Sequence, residues 1–180
     1  LLPVAFYLYY TKARDYTIHS VVKNVTFITH HSEIPAMAAY IFTKYIIFLL
    51  RGTDKKASFS MLKNLDYTMY FKPETIREFE HLLKDNVYNL SLEMINSNNY
   101  VIDTLEAFFY CFINSENFSQ ALIGAVNLGG QASTLGGLCA GAAAIYYGYD
   151  SIPEKYLEVL QKKEYLLKMG NTYETTLNML

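Results

Sequence analysis

The run Gly136-Gly137-Leu138-Cys139-Ala140-Gly141-Ala142-Ala143-Ala144 constrains this chain more than any other feature. Each glycine costs a helix about 1 kcal/mol against alanine. A helix accepts that cost where its neighbours must approach closely, so Thr134 to Tyr147 is predicted to be the central helix of the domain. Directly before it stands Asn127-Leu128-Gly129-Gly130-Gln131-Ala132-Ser133-Thr134. The glycine pair lets the backbone turn sharply and lie close to a ligand. Gln131, Ser133 and Thr134 would follow at a helix N-terminus, where free N–H groups and the helix dipole favour anions and hydroxyl caps.

The remaining periodicity is helical as well. Leu1 to Tyr10 reads as a short buried helix with Pro3 in its first turn, and Ser20 to Ile28 carries apolar residues near the 3.6-residue period. Thr29-His30-His31 is a polar break. Ser32 is expected to cap a long helix through Pro35 to about Leu50, and Arg51-Gly52 stops it. Further helices are expected at Lys55–Leu65, Pro73–Lys84, Tyr100–Ile113, Phe118–Val126 and Pro153–Leu160, the last capped by Ser151, with a charged helix from Lys162. Asn96 to Asn99 reads as a loop. No strand, repeat or linker emerges over residues 1–180, so a single all-α domain is expected.

Hydrophobic residues make up 52% of the chain and charged residues 18%, which excludes the disordered class. A formal charge of −2 gives no basic footprint and speaks against nucleic acid as partner. The longest apolar stretch, Ala36 to Leu50, is short for a bilayer and is interrupted by Lys44, so a buried helix is expected and no membrane association. Cys111 and Cys139 sit within apolar helical patterns and read as buried, reduced thiols. Three Asn-x-Ser/Thr matches, at Asn24, Asn89 and Asn117, carry little weight without a secretory signal. The expected location is the cytoplasm.

The C-terminal segment resembles the signature of the ADP-ribosylglycohydrolase family. That signature reads Asn-x-Gly-Gly-Asp-x-Asp-Thr, then a small-residue helix, then Tyr-Gly and a nearby Ile/Val-Pro-Glu. Asn127, Gly129, Gly130, Thr134, Gly141, Ala142, Tyr146, Tyr147, Gly148, Ile152, Pro153 and Glu154 keep this frame. Gln131 and Ser133 stand where the family places two metal-binding aspartates. Tyr100-Val101-Ile102-Asp103-Thr104-Leu105-Glu106-Ala107 is similar to the helix before the family's glycine-rich loop, and Thr29-His30 with the Pro35 helix resembles its Thr-His turn. Leu1 to Ala5 looks like the segment just after the family's Gly-Asn-Gly-x-x-Met-Arg loop. On this resemblance the N-terminal part of a multi-helix orthogonal bundle is expected to be missing, including the Thr-Asp-Asp half of the metal site.

The resemblance implies hydrolysis of a glycosidic bond at the anomeric carbon of ADP-ribose, with two magnesium ions holding the ribose hydroxyls and a water. Gln131, Ser133 and Thr134 are the metal-site positions; all are neutral here, and a dication site loses several kcal/mol, roughly, for each missing charge pair. A plain helix start is the competing reading. Asn99, Tyr100, Asp103, Gly129 and Gly130 are the candidate substrate-binding residues. For Tyr100, stacking on an adenine or ribose competes with core packing, which its apolar helix favours. Asp103 is a ligand-facing group or a hydrogen-bond anchor. Glu106 reads as an ordinary helix residue, His30 and His31 as a polar turn, and His19 and His81 as surface or interface histidines.

No catalytic residue is assigned. The expectation is a catalytically degenerate family member with a residual ADP-ribose, nucleotide-binding or structural role, needing no cofactor. The alternative is the C-terminal part of a Mg²⁺-dependent hydrolase that removes ADP-ribose from modified protein side chains. ADP-ribose, an ADP-ribosylated protein and a second copy of the chain are the expected partners.

Overall fold

Between Glu33 and Leu50 only Thr43 and Lys44 interrupt an apolar run. In the computed structural model, which describes residues 1–179, this run is helix α3 (Glu33–Leu50), and every side chain from Ala36 to Leu49 is buried. Around it lie α1 (Leu2–Tyr10), α2 (Asp15–Phe27), α4 (Lys55–Lys63), α5 (Pro73–Glu78), α6 (Glu80–Lys84) and α7 (Val101–Asn114). The chain continues through α8 (Phe118–Asn127), α9 (Ala132–Tyr147), α10 (Glu154–Glu158) and α11 (Lys163–Leu177). There is no strand among the described residues, so the fold is all-α.

α3 packs against α1, α2, α4, α5, α7 and α9. Its Tyr45 meets Phe109 of α7 edge to face, with ring centroids 4.9 Å apart, and Phe108 and Phe112 complete the aromatic centre. Such pairings add to the burial of apolar area itself. Lys44 is tolerated here because its ammonium lies 2.7 Å from the Asp15 carboxylate and 5.1 Å from the centroid of the Phe48 ring. A helix this long and apolar meets the length and composition of a bilayer span, yet 78% of it is buried inside the fold.

The central position therefore belongs to α3 and not to the small-residue helix. α9 buries only Leu135, Gly136, Cys139, Ala142 and Ala143. Small side chains remove less apolar area from water than the Tyr, Phe and Ile of α3, so the larger ones dominate the core. The glycines of α9 do mark close approaches. A Cβ on Gly136 would lie 3.1 Å from Val126 of α8, and one on Gly141 would strike the Leu2 side chain of α1.

Several boundaries differ from the sequence expectation. α2 starts at Asp15, ahead of Ser20, because Asp15 complements the helix N-terminus and pairs with Lys44. The Pro73–Lys84 segment breaks at Phe79, whose side chain is fully buried. Ser32 occupies the N-cap of α3 without a side-chain bond; instead Glu33 accepts from Thr75 Oγ1 at 2.8 Å and from the Lys72 N–H at 3.3 Å, tying α3 to α5. Ser151 does not cap α10, since its hydroxyl donates back to the Gly148 carbonyl at 2.6 Å. Cys111 and Cys139 are buried free thiols, and burial pushes Cys111 up to about 11.

Candidate functional site

The turn after α2 and the loop before α7 face one another across a cavity of about 590 Å³. Thr26, Thr29, His30 and Ser32 supply its polar side, Asn99, Tyr100 and Thr104 the opposite rim, and Pro35, Ala38, Phe42, Leu105 and Leu138 an apolar floor. An apolar pocket with a few convergent polar groups is the usual form of a small-molecule site. Thr29 Oγ1 lies 2.8 Å from His30 Nδ1, so the hydroxyl orients the imidazole at the cavity mouth. The sequence alone reads this pair as a polar turn that resembles the family's Thr-His turn, with no ligand-facing role for His30. The Thr-His signal was present, but its cavity depends on α7, which lies far along the chain.

Tyr100 is 45% exposed, so the core-packing expectation for it is corrected. It precedes α7 as its N-cap residue, where the extended backbone turns the ring away from the helix face. Its hydroxyl donates to the Glu78 carboxylate at 3.4 Å, and desolvation, followed by the Glu78 charge, pushes the phenol above its ordinary range. Asp103, one turn on, does not line the cavity. It accepts from Asn98 Nδ2 at 3.4 Å, the hydrogen-bond anchor among its two readings.

The glycine loop meets the same rim from behind. Gly129 and Gly130 have φ of 73° and 55°, the left-handed region that other residues enter at a cost. A Cβ on Gly130 would collide with the Ser97 carbonyl and lie 2.7 Å from Ser97 Oγ. This contact lets the Gln131 N–H donate to the Ser97 carbonyl at 3.1 Å, while Ser97 Oγ donates to the Leu128 carbonyl at 3.2 Å. The Gln131 side chain donates through Nε2 to Asn99 Oδ1. Neither glycine lines the cavity, and neither do Gln131, Ser133 or Thr134. α9 begins at Ala132, which puts Ser133 and Thr134 inside its first turn, both exposed, so the expected hydroxyl cap is not formed. Among the described residues no three His, Cys, Asp or Glu side chains gather to hold a metal ion.

Two further groups were not anticipated. Lys55, buried at 8% exposure, donates through Nζ to the Phe112 carbonyl at 3.2 Å, to the Ser115 carbonyl and to the Tyr147 hydroxyl at 2.8 Å. The Tyr147 hydroxyl donates in turn to the Ser115 carbonyl at 2.7 Å, and Tyr146 donates to Asp54 Oδ2 at 3.2 Å. The tyrosine pair of the signature thereby joins the end of α9 to the start of α4 and the end of α7. His19 is half-buried rather than open to solvent: its ring stacks on Tyr70 at 4.9 Å, and its Nε2 is buried with no hydrogen-bond partner among the described residues. Desolvation, then Lys23, holds it below the usual histidine range, against an opposing pull from Glu33. His81 is half-exposed as a surface histidine should be, but its Nδ1 lies 2.8 Å from Glu106 Oε1, which raises its pKa.

Comparison of the sequence with known proteins points to one family. The ADP-ribosylglycohydrolase family model covers residues 1–178. The chain is similar to ADP-ribosylarginine hydrolase Tri1 of Serratia proteamaculans, 30% identical over 136 residues that cover 74% of this chain and 34% of the relative. It is also similar to ADP-ribosylarginine hydrolase Tri1 of Pseudomonas putida, 25% identical over 143 residues, covering 79% of this chain and 36% of the relative. A shorter match, 36% identical over 67 residues, covers 37% of this chain and 23% of the ADP-ribosyl-[dinitrogen reductase] glycohydrolase of Rhodospirillum rubrum. The chain thus spans about a third of the length of the two hydrolases it matches over most of its extent. With the glycine loop, the Thr-His turn and the Tyr100 helix arranged on an all-α frame, the chain belongs to the ADP-ribosylglycohydrolase family.

Proposed function

We propose that this chain is a metal-independent ADP-ribose-binding domain of its family. The observation that carries the reading is the donor set at the glycine loop. Gln131, Ser133 and Thr134 are neutral, and Gln131 Nε2 is engaged by Asn99. Magnesium takes hard oxygen ligands in octahedral geometry and is ordinarily held through carboxylates. These three side chains by themselves do not fit it, and no step is routed through a metal.

The cavity's own residues account for recognition. Tyr100 offers an exposed ring face to an adenine or ribose, and its hydroxyl stays protonated beside Glu78. Asn99 offers an amide, Thr29 a hydroxyl and His30 an imidazole to ribose hydroxyls or phosphate oxygens. The floor of Pro35, Phe42 and Leu138 excludes water behind the ligand and strengthens those polar contacts.

A second reading has support from the relatives, two of which are named ADP-ribosylarginine hydrolases. Under it the chain is the C-terminal part of a Mg²⁺-dependent hydrolase acting on ADP-ribosylated proteins, and further residues complete the metal shell. Incubating the chain with an ADP-ribosylarginine peptide and Mg²⁺, and assaying free ADP-ribose, separates the two. No release above the uncatalysed rate is expected; metal-dependent turnover would establish the second reading instead.

A further inference from the structure

We infer that Gln131 is a positioning residue for the cavity rim, acting through Asn99 rather than on a ligand or a metal. Three contacts fasten the glycine loop to residues 97–99. The Gln131 N–H donates to the Ser97 carbonyl, Ser97 Oγ donates to the Leu128 carbonyl, and the Gln131 side chain donates to Asn99 Oδ1. Gly130 is pressed onto Ser97 with no space for a Cβ, so the loop has one seating.

The first contact is backbone to backbone and the second runs from the Ser97 hydroxyl to a carbonyl; the third alone reaches a side chain that lines the cavity. An asparagine amide at a rim has several staggered orientations, and choosing among them on binding costs entropy. The Gln131 amide removes that freedom in advance: with Oδ1 accepting from Gln131, Asn99 Nδ2 is left as the group presented to a ligand. Tyr100 follows Asn99 directly and shares the fixed backbone. At the position where the family resemblance places a metal carboxylate, this chain carries a latch that orders its pocket.

The inference rests on the ADP-ribose-binding reading for its affinity arm, while its second arm is independent of any ligand. ADP-ribose is titrated calorimetrically, in chelator and again in Mg²⁺, into the chain and into Gln131→Ala, Asn99→Ala, the double variant and Gln131→Glu. Hydrogen exchange of residues 97–101 is followed in the same proteins without ligand, and thermal unfolding reports on folding. Loss of one ordering hydrogen bond is expected to weaken binding about threefold to tenfold in Gln131→Ala. The double variant should be no weaker than Asn99→Ala alone. Gln131→Glu should keep the rim ordered, because Asn99 can turn its Nδ2 toward the carboxylate, yet bind more weakly than the parent, since the turned amide presents Oδ1 to the ligand. Exchange at 97–101 should rise in Gln131→Ala and not in Gln131→Glu, with the same pattern in chelator and in Mg²⁺.

Parental affinity and exchange in Gln131→Ala, or strictly additive losses in the double variant, would overturn the latch. Where Gln131→Ala does not fold, Asn99→Ala removes the same bond from the other side, and exchange around Gln131 carries the comparison. If the parent does not bind ADP-ribose, the binding reading fails. The exchange arm then decides alone: faster exchange in Gln131→Ala upholds the latch and unchanged exchange rejects it.

Discussion

The Lys55 ammonium lies 2.8 Å from the Tyr147 hydroxyl, and both reach the carbonyl of Ser115 at the end of α7. A helix C-terminus leaves carbonyls without intrahelical partners, and a cation placed there satisfies them and complements the dipole. The same ammonium faces the rings of Phe112, Tyr146 and Tyr147 at 5.3–5.4 Å from their centroids. This joint ties α4 and α9 to the end of α7, whose opposite end brings Val101, Thr104 and Leu105 to the cavity.

Lys55→Met keeps the volume of the stem and removes the ammonium. The Phe112 and Ser115 carbonyls and the Tyr147 hydroxyl lose a buried donor together. Stability should fall by about 2 kcal/mol, the loss of a charged donor, because Tyr147 and the Ser115 hydroxyl still bond the two carbonyls. Urea unfolding of the variant against the parent measures it.

Gly130→Ala places a methyl group where the Ser97 carbonyl already sits, on a backbone with φ of 55°. The loop must move off residues 97–99 or carry the strain. A loss of about 2 kcal/mol is expected, again by urea unfolding. Gly129→Ala, at φ of 73° but with nothing within 4 Å, should cost less.

His81 and Glu106 predict a pH dependence of one sign. The bond to Glu106 raises the folded pKa of His81 above its ordinary value. Its stabilisation is then fully present below the unfolded pKa and is lost as pH rises through the folded one. His81 is half-exposed, so the effect is small. Glu106→Gln should destabilise by about 0.5 kcal/mol at pH 6 and by less at pH 9, read from denaturation midpoints.

His19 predicts the opposite sign. Its folded pKa is depressed, chiefly by desolvation. Its neutral form is compatible with the fold above the unfolded pKa, and stability is lost as pH falls below that value toward the folded one. His19→Phe keeps the stacking on Tyr70 and removes the orphaned Nε2. The variant should lose less stability than the parent between pH 7 and pH 5, measured by thermal unfolding.

Much of the frame was readable in the residues themselves. The apolar run of α3, the glycines that let α8 and α1 approach α9, and the loop of Asn96 to Asn99 are local signals, and each leads to an element or contact in the fold. What escaped depends on partners distant in sequence. Lys44 reads as an interruption of α3 until Asp15 lies 2.7 Å away. Tyr100 reads as a core aromatic until the N-cap backbone turns it to Glu78. Of the candidate binding residues, Asn99 and Tyr100 line the cavity, whereas Asp103, Gly129 and Gly130 shape the loops behind it. His30 joins the rim from a turn whose composition says only that it is polar.

The account turns on whether ligand binding needs a divalent cation. ADP-ribose should be titrated into the chain by calorimetry, once with chelator and once with saturating Mg²⁺. Equal dissociation constants in the two titrations are the predicted result. Heat of binding that appears only when Mg²⁺ is present would contradict it, and would show that neutral side chains at Gln131 and Ser133 do not prevent the cation from entering.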